Sequence, residues 1–164
     1  MSKTIKKLLF AFIFVAMLLP VHTQPKANEP EFIVTAGQQT PIEVEVWEPS
    51  IPESDIRLLA LLTMAEAEGE CEMGKRLVID TVLNRVDAPY WSDTVEGVIY
   101  QKGQFTSMWN GRADRCYVRD DIYQLVLEEL ESRTNSDCVY FRAGHYSAYG
   151  TPMFRVENHY FSSL

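Results

Sequence analysis

The sequence predicts a mainly helical α+β domain with a small β-rich part at its C-terminal end. Three observations carry that expectation. Apolar residues recur at helical spacing in three stretches between Ser54 and Ser132, and a capping box marks a short helix between the second and third of them. From Cys138 onward the chain turns to β-branched and aromatic residues punctuated by Gly144 and Gly150. With 164 residues, 46% hydrophobic and 23% charged, it is long enough to bury one core without a metal or disulfide staple.

The start has the pattern of an export signal. Lys3, Lys6 and Lys7 form a basic region, and Leu8 to Leu19 an apolar run. That run is about a dozen residues, well short of the ~20 that a spanning helix needs. Val21-His22-Thr23 is a weak cleavage site, so 1–23 is expected to be a signal peptide or an uncleaved N-terminal anchor. Residues 24–52 alternate prolines with glutamates and are expected to be a flexible acidic spacer, although Ile42 to Val46 also suits a short strand. The folded domain is expected at 53–164.

Its first helix begins with Ser54 as cap, buries Ile56, Leu59, Leu62 and Met64, and ends near Gly69. A second helix is expected from about Met73 to the Ala88-Pro89 stop. Asp93-Thr94-Val95-Glu96 has the form of a capping box for a short third helix to Tyr100. An irregular aromatic loop, 101–117, follows. A fourth helix, from about Arg119 to Ser132, turns Ile122, Tyr123, Val126, Leu127 and Leu130 inward and Glu128, Glu129 and Glu131 outward. Three extended pieces, 138–141, 144–150 and 153–161, complete a small sheet or hairpin.

The formal net charge of −8 excludes nucleic acid as a partner and disfavours tight docking on an anionic surface. Membrane contact is expected only through the leader. The spacings of Cys71, Cys116 and Cys138 match no zinc pattern; small buried side chains or one optional bridge are expected. No His-Glu-x-x-His is present, and no metal or organic cofactor is expected. Cys71 with a histidine would suit a cysteine peptidase, but no local signature supports it. His145 and His159 are expected to be a polar loop residue and a satisfied core-edge residue. A monomer is expected.

The centre of the chemistry is Met64-Ala65-Glu66-Ala67-Glu68-Gly69-Glu70. If the helix persists through its last turn, Glu66 and Glu70 share one face. A carboxylate at the rim of a core, beside another, suits a general acid, and Glu66 is the leading candidate. It also reads as a solvated helix-end acid or a partner for Arg57 or Arg76. In the loop, Gln104, Phe105, Thr106, Trp109, Asn110 and Arg112 interleave flat rings with polar groups, as a glycan groove requires. The same rings would serve to seal the core. Tyr140 and Phe141 suit an opposite wall or a core strand.

These landmarks occur in a recognisable order: Ala65-Glu66-Ala67-Glu68-Gly69-Glu70, Val82-Leu83-Asn84-Arg85-Val86, Val98-Ile99-Tyr100-Gln101, Gly103-Gln104-Phe105-Thr106 and Tyr140-Phe141. From Leu59 to Phe161 the chain resembles the SleB/CwlJ-type cell-wall hydrolases, the spore cortex-lytic enzyme family. The resemblance implies a lysozyme-like catalytic domain with Glu66 as acid/base and Glu70 as second acid of the motif. Its other matches fall on Asn84, Arg85, Gln104, Phe105, Thr106, Tyr140 and Phe141; together with Trp109 of the aromatic loop, the last five are the expected substrate contacts, while Asn84 and Arg85 are expected to brace the helix pair instead of touching sugar. Two departures stand out: Glu68 where members usually carry Arg, and Ala65 where they often carry Gly.

The function so implied is an exported enzyme that cuts peptidoglycan glycan strands between N-acetylmuramic acid and N-acetylglucosamine, outside the cell, in the wall or spore cortex. A lytic transglycosylase needs one acid, because the muramic C6 hydroxyl attacks its own C1. A hydrolytic muramidase needs a second carboxylate about 5–5.5 Å away, or about 6.5–9.5 Å for inversion. A non-catalytic wall-binding domain is the alternative of another class.

Overall fold

The computed structural model describes residues 47–164. The expected leader, and the spacer through residue 46 with its possible strand, lie outside the described residues. The described elements run α1 (Glu53–Ala67), α2 (Glu72–Asp87), α3 (Val95–Ile99), α4 (Asp120–Glu131), β1 (Tyr140–Ala143), β2 (Thr151–Val156) and β3 (His159–Ser163). Two 3-10 turns, Thr106–Met108 and Ala113–Arg115, lie in the aromatic loop. Among the described residues, no helix is long and apolar enough to cross a membrane.

Helix α1 is apolar on nearly every side because α2, α3 and α4 all pack against it. Leu59, Ala60 and Leu62 are wholly buried, and Thr63 satisfies its hydroxyl by donating to the Leu59 carbonyl at 2.8 Å. The core they share with Ile79, Val82, Val98, Ile99, Ile122 and Val126 is the helical half of the molecule. The expected Ser54 cap is not formed. Pro52 holds the cap position, with its carbonyl accepting from Asp55 and Ile56, and its fixed φ suits a helix entry. At α3 the cap is Thr94, not Asp93: the Thr94 hydroxyl accepts from the Gly97 amide at 3.1 Å.

The sheet is antiparallel in the order β1-β3-β2, so the last strand lies in the middle. Residues 144–150, expected to be extended, form the loop between β1 and β2 instead. Gly150 makes that loop possible at φ +76, where an added Cβ would meet the Ser163 carbonyl at 2.0 Å. Leu77 of α2, Cys138 and Phe161 form a second small core that fixes the sheet to the helices.

Glu129 corrects the outward assignment of α4. It is 1% exposed, and its carboxylate accepts from Arg76 Nη1 at 2.8 Å, the Thr134 amide at 2.6 Å and the Thr134 hydroxyl at 2.9 Å. Asp80 of α2 is buried against it, with Oδ2 accepting from the Asn135 amide at 2.7 Å and Oδ1 meeting no donor. Two buried carboxylates side by side cannot both be charged at little cost. Burial, then hydrogen bonding to Glu129, pushes Asp80 up to about 8, so it carries the proton of the pair. Burial pulls Glu129 upward as well, but Arg76, Asp80 and Thr134 outweigh it and hold Glu129 below the usual carboxylate range.

Unfolded Asp80 titrates near 4, so between about 4 and about 8 the folded chain holds a proton that the unfolded chain has released. The Asp80 contribution is therefore complete at acid pH and is lost as pH rises through about 8. Urea unfolding at steps from pH 5 to 9 is expected to show this loss, by at most about 1.4 kcal/mol per pH unit. Asp80→Asn is expected to flatten the slope relative to the parent chain; an identical slope would remove the shared proton.

Candidate active site

Glu66 lies in the last turn of α1 and is half-buried. The first 3-10 turn crosses the end of that helix, and Ser107, itself 5% exposed, donates its hydroxyl to Glu66 Oε1. A carboxylate so held has one oxygen oriented by the protein and leaves Oε2 for chemistry. The helix end is covered by the same loop, since Arg112 Nε donates to the Ala65 carbonyl. That guanidinium satisfies a terminal carbonyl of a helix with no basic residue in its own last turn. Arg112 also stands 4.0 Å from Glu68, the position where the resemblance leads one to expect Arg.

Glu70 does not share the face of Glu66. The helix ends at Ala67, with Glu68 as its cap, and the chain turns through Gly69. Glu70 Oε2 instead accepts from the Asn158 amide at 3.4 Å in the β2–β3 turn. Its carbonyl takes Lys75 Nζ at 2.5 Å, and the Cys71 amide donates to Glu157 Oε2 at 2.5 Å. The Cys71 bond holds Glu157 below the usual carboxylate range. These contacts make a clasp between the α1–α2 turn and the hairpin.

The second centre is Arg85, 4% exposed on α2. Its Nε donates to the Val139 carbonyl at 2.7 Å and its Nη1 to Gln104 Oε1 at 3.0 Å. The guanidinium lies over Phe105 at 5.3 Å, Trp91 at 5.5 Å and Tyr140 at 5.8 Å. Burial lowers it to about 10. Arg85 thus joins α2 to β1 and to the loop, not α2 to α1. Asn84 does likewise, donating to the carbonyls of Asn135 and Cys138, each at 2.9 Å.

The expected sugar-binding residues separate into two groups. Gln104, Phe105, Tyr140 and Phe141 are half-buried and engaged: Gln104 with Arg85, Phe105 with Phe141 at 6.1 Å, and Tyr140 with Trp91 at 5.9 Å. Phe105 adopts φ +29, a conformation uncommon for a bulky residue, as its ring turns inward beneath the loop. Thr106 and Trp109 are exposed, Trp109 by 63%. Ser107 was not among the expected site residues; its only sequence signal is a hydroxyl directly after Gln104-Phe105-Thr106.

His145 is an exposed loop residue bonded to the Tyr146 carbonyl, as expected. His159 is buried on β3 against Phe141, but its Nδ1 has no partner, so it is not the satisfied residue expected. All three cysteines are free. Only Cys138 is buried, with its thiol pushed up to about 12 by that burial, whereas Cys71 is exposed at the start of α2. Among the described residues, no cluster of three or more His, Cys, Asp or Glu side chains is gathered as for a metal ion.

The model of the Cell Wall Hydrolase family matches residues 69–162, beginning three residues after Glu66. Spore cortex-lytic enzymes of Halalkalibacterium halodurans and Bacillus subtilis are each 37% identical over 60 and 59 residues. Those stretches cover 37% and 36% of this chain and span only 18% and 19% of the relatives' length. Among solved structures, the catalytic domain of the germination-specific lytic transglycosylase SleB from Bacillus anthracis is similar with TM-score 0.61 and 21% identity, over 71% of this chain and 100% of that domain. The Bacillus cereus SleB catalytic domain has TM-score 0.61 and 22% identity, over 68% and 91%. The chain therefore shares the fold of the SleB catalytic domains. The chain belongs to the Cell Wall Hydrolase family.

A lysine in place of Arg85 keeps a charge but cannot reach both Gln104 and Val139. Arg85→Lys is expected to lower stability by about 1–3 kcal/mol in urea unfolding, because a buried acceptor loses its donor. An unchanged midpoint would remove Arg85 as the joint.

Proposed function

We propose that this chain cleaves the glycan strands of peptidoglycan at the bond between N-acetylmuramic acid and N-acetylglucosamine, as a lytic transglycosylase with Glu66 as its general acid and base. The observation that carries the proposal is the bond from Ser107 to Glu66 at a buried helix end, beneath a loop that bears Gln104 and the exposed Trp109. Family membership and the likeness to the SleB domains support the substrate class. The basic and apolar opening of the chain supports delivery across a membrane to the wall or spore cortex, with 53–164 as the catalytic domain.

In this reading Glu66 Oε2 donates its proton to the glycosidic oxygen as the bond to C1 breaks. Positive charge develops on the muramic ring while the N-acetylglucosamine departs as an alcohol. The Glu66 carboxylate so formed takes the proton of the muramic C6 hydroxyl, whose oxygen attacks C1 and closes a 1,6-anhydro ring. Glu66 ends the cycle protonated, so the reaction consumes neither water nor a second acid. The engagement of Glu70 with the hairpin supports this route over one that needs a second carboxylate.

Digestion of purified peptidoglycan followed by mass spectrometry of the fragments tests the proposal. Anhydro-muramic ends are expected; reducing ends would replace the lytic route by hydrolysis, and an undigested sacculus would leave a binding domain. Glu66→Gln is expected to lower the release of fragments by at least ~100-fold with the circular dichroism spectrum unchanged. Ser107→Ala frees the carboxylate to turn, and a loss of roughly ten- to a hundredfold in kcat is expected. Full activity in the Glu66 variant would exclude it from the mechanism.

A further inference from the structure

The aromatic loop and the end of α3 form a cavity of about 350 Å³ lined by Tyr100, Lys102, Gly103 and Trp109. Tyr100 and Trp109 meet edge to face with centroids 5.5 Å apart, yet both remain exposed, by 39% and 63%. Large rings kept wet at a cavity wall are costly to a fold and suit a ligand with an apolar face. Gly103, at φ +84, turns the chain at the cavity, and its neighbour Lys102 is exposed there.

Lys102, like Lys75, Arg85, Arg115, Arg142 and Arg155, makes no ion pair among the described residues, and of these it is the one that lines this cavity. On a chain of formal net charge −8, an uncommitted cation beside two exposed rings is a local reversal of sign. The cavity also belongs to the turn that holds the acid. Trp109 closes the 3-10 turn of Ser107 by donating its amide to the Thr106 carbonyl at 3.0 Å.

We propose that this cavity is a saccharide subsite selective for an acid-bearing sugar: the apolar face of a pyranose lies on Trp109 and Tyr100, and Lys102 pairs with a carboxylate attached to it. On a glycan strand that carboxylate is either the lactyl group of muramic acid or an acid of the peptide joined to it. A muramic lactam offers neither and gains nothing from Lys102. The proposal rests on the peptidoglycan reading above for its ligand class, but its test does not use cleavage.

Calorimetric titration of the Glu66→Gln chain measures binding without turnover. Three probes serve: N-acetylglucosaminyl-N-acetylmuramic acid, the same disaccharide carrying L-Ala-D-Glu, and neutral chitobiose. At least one acidic probe is expected to bind more tightly than chitobiose, with the difference reduced by salt. Adding Lys102→Gln is expected to lower that affinity about two- to fivefold, the range of an exposed ion pair, and to leave chitobiose unchanged. Adding Trp109→Ala is expected to weaken all three. An effect of Lys102 on the free lactyl probe assigns the lactyl acid; an effect confined to the peptide-bearing probe assigns the peptide. Equal affinity for acidic and neutral probes, a preference that survives Lys102→Gln, or no binding of any probe overturns the subsite. Cleavage by the parent chain, followed separately, reports on the lytic reading alone.

Discussion

The buried guanidinium of Arg85 is the constraint on which the geometry of the site depends. It is 4% exposed and has no carboxylate partner among the described residues. Such a charge is tolerable only where oriented dipoles and ring faces replace water. The Val139 carbonyl, the Gln104 amide oxygen and the faces of Trp91, Phe105 and Tyr140 supply them. Because these partners come from β1 and its approach, the aromatic loop and the α2–α3 connection, none of these segments can move without exposing or stranding the charge. The loop position that lets Ser107 reach Glu66 follows from this. The conformation of Phe105 at φ +29 is held by the same packing.

Much of this architecture was legible in the sequence, and the parts that were not have a common physical cause. Apolar spacing marks α1, α2 and α4, because a helix in a small core must bury a stripe and that stripe repeats along the chain, while the short α3 is marked by its capping residues. Glu129 defeated the same logic. Written among Glu128 and Glu131, it has the look of a solvated edge, and nothing local says that Arg76, from another helix, meets it in the core. The strand order β1-β3-β2 is likewise non-local, since the bulge between Pro152 and Phe154 and the loop from Gly144 to Gly150 decide which edges meet. The Pro52 cap was missed because Ser54 is the better capping side chain; proline wins by fixing φ, not by bonding.

In the candidate site, Glu66 stands out in the sequence because acids at the end of an apolar helix are uncommon. Ser107 does not, for a serine in a loop is ordinary until its hydroxyl is seen against a carboxylate. Rings raise the converse difficulty. Phe105, Trp109, Tyr140 and Phe141 fit stacking and packing equally well as residue types, and only burial divides them. Trp109 is left to solvent, while Phe105 and Phe141 lie against one another. Glu70 turned on a single condition, the persistence of α1, and a helix that stops at Ala67 sends it elsewhere.

The contacts of Glu70 also bear on how firmly the end of α1 is held. A helix end is ordinarily where a chain frays, which would leave a catalytic carboxylate poorly placed. Here the end of α1 is held on both sides. Arg112 bonds the Ala65 carbonyl and Ser107 the Glu66 carboxylate, while Glu70, Lys75 and Cys71 tie the following turn to itself and to the hairpin. Glu70 thus ties the turn that follows Glu66 to the β2–β3 hairpin. In the proposed reaction an acid fixed in this way meets the geometric demand of proton transfer, and the nucleophile need not come from the protein at all. A muramic ring brings its own C6 hydroxyl, already tethered to the reacting carbon and therefore free of the entropy that a separate water would lose. Under the proposed lytic route the second carboxylate of a retaining glycosidase is unnecessary, and Glu70 is used instead in the contacts that hold the turn after α1.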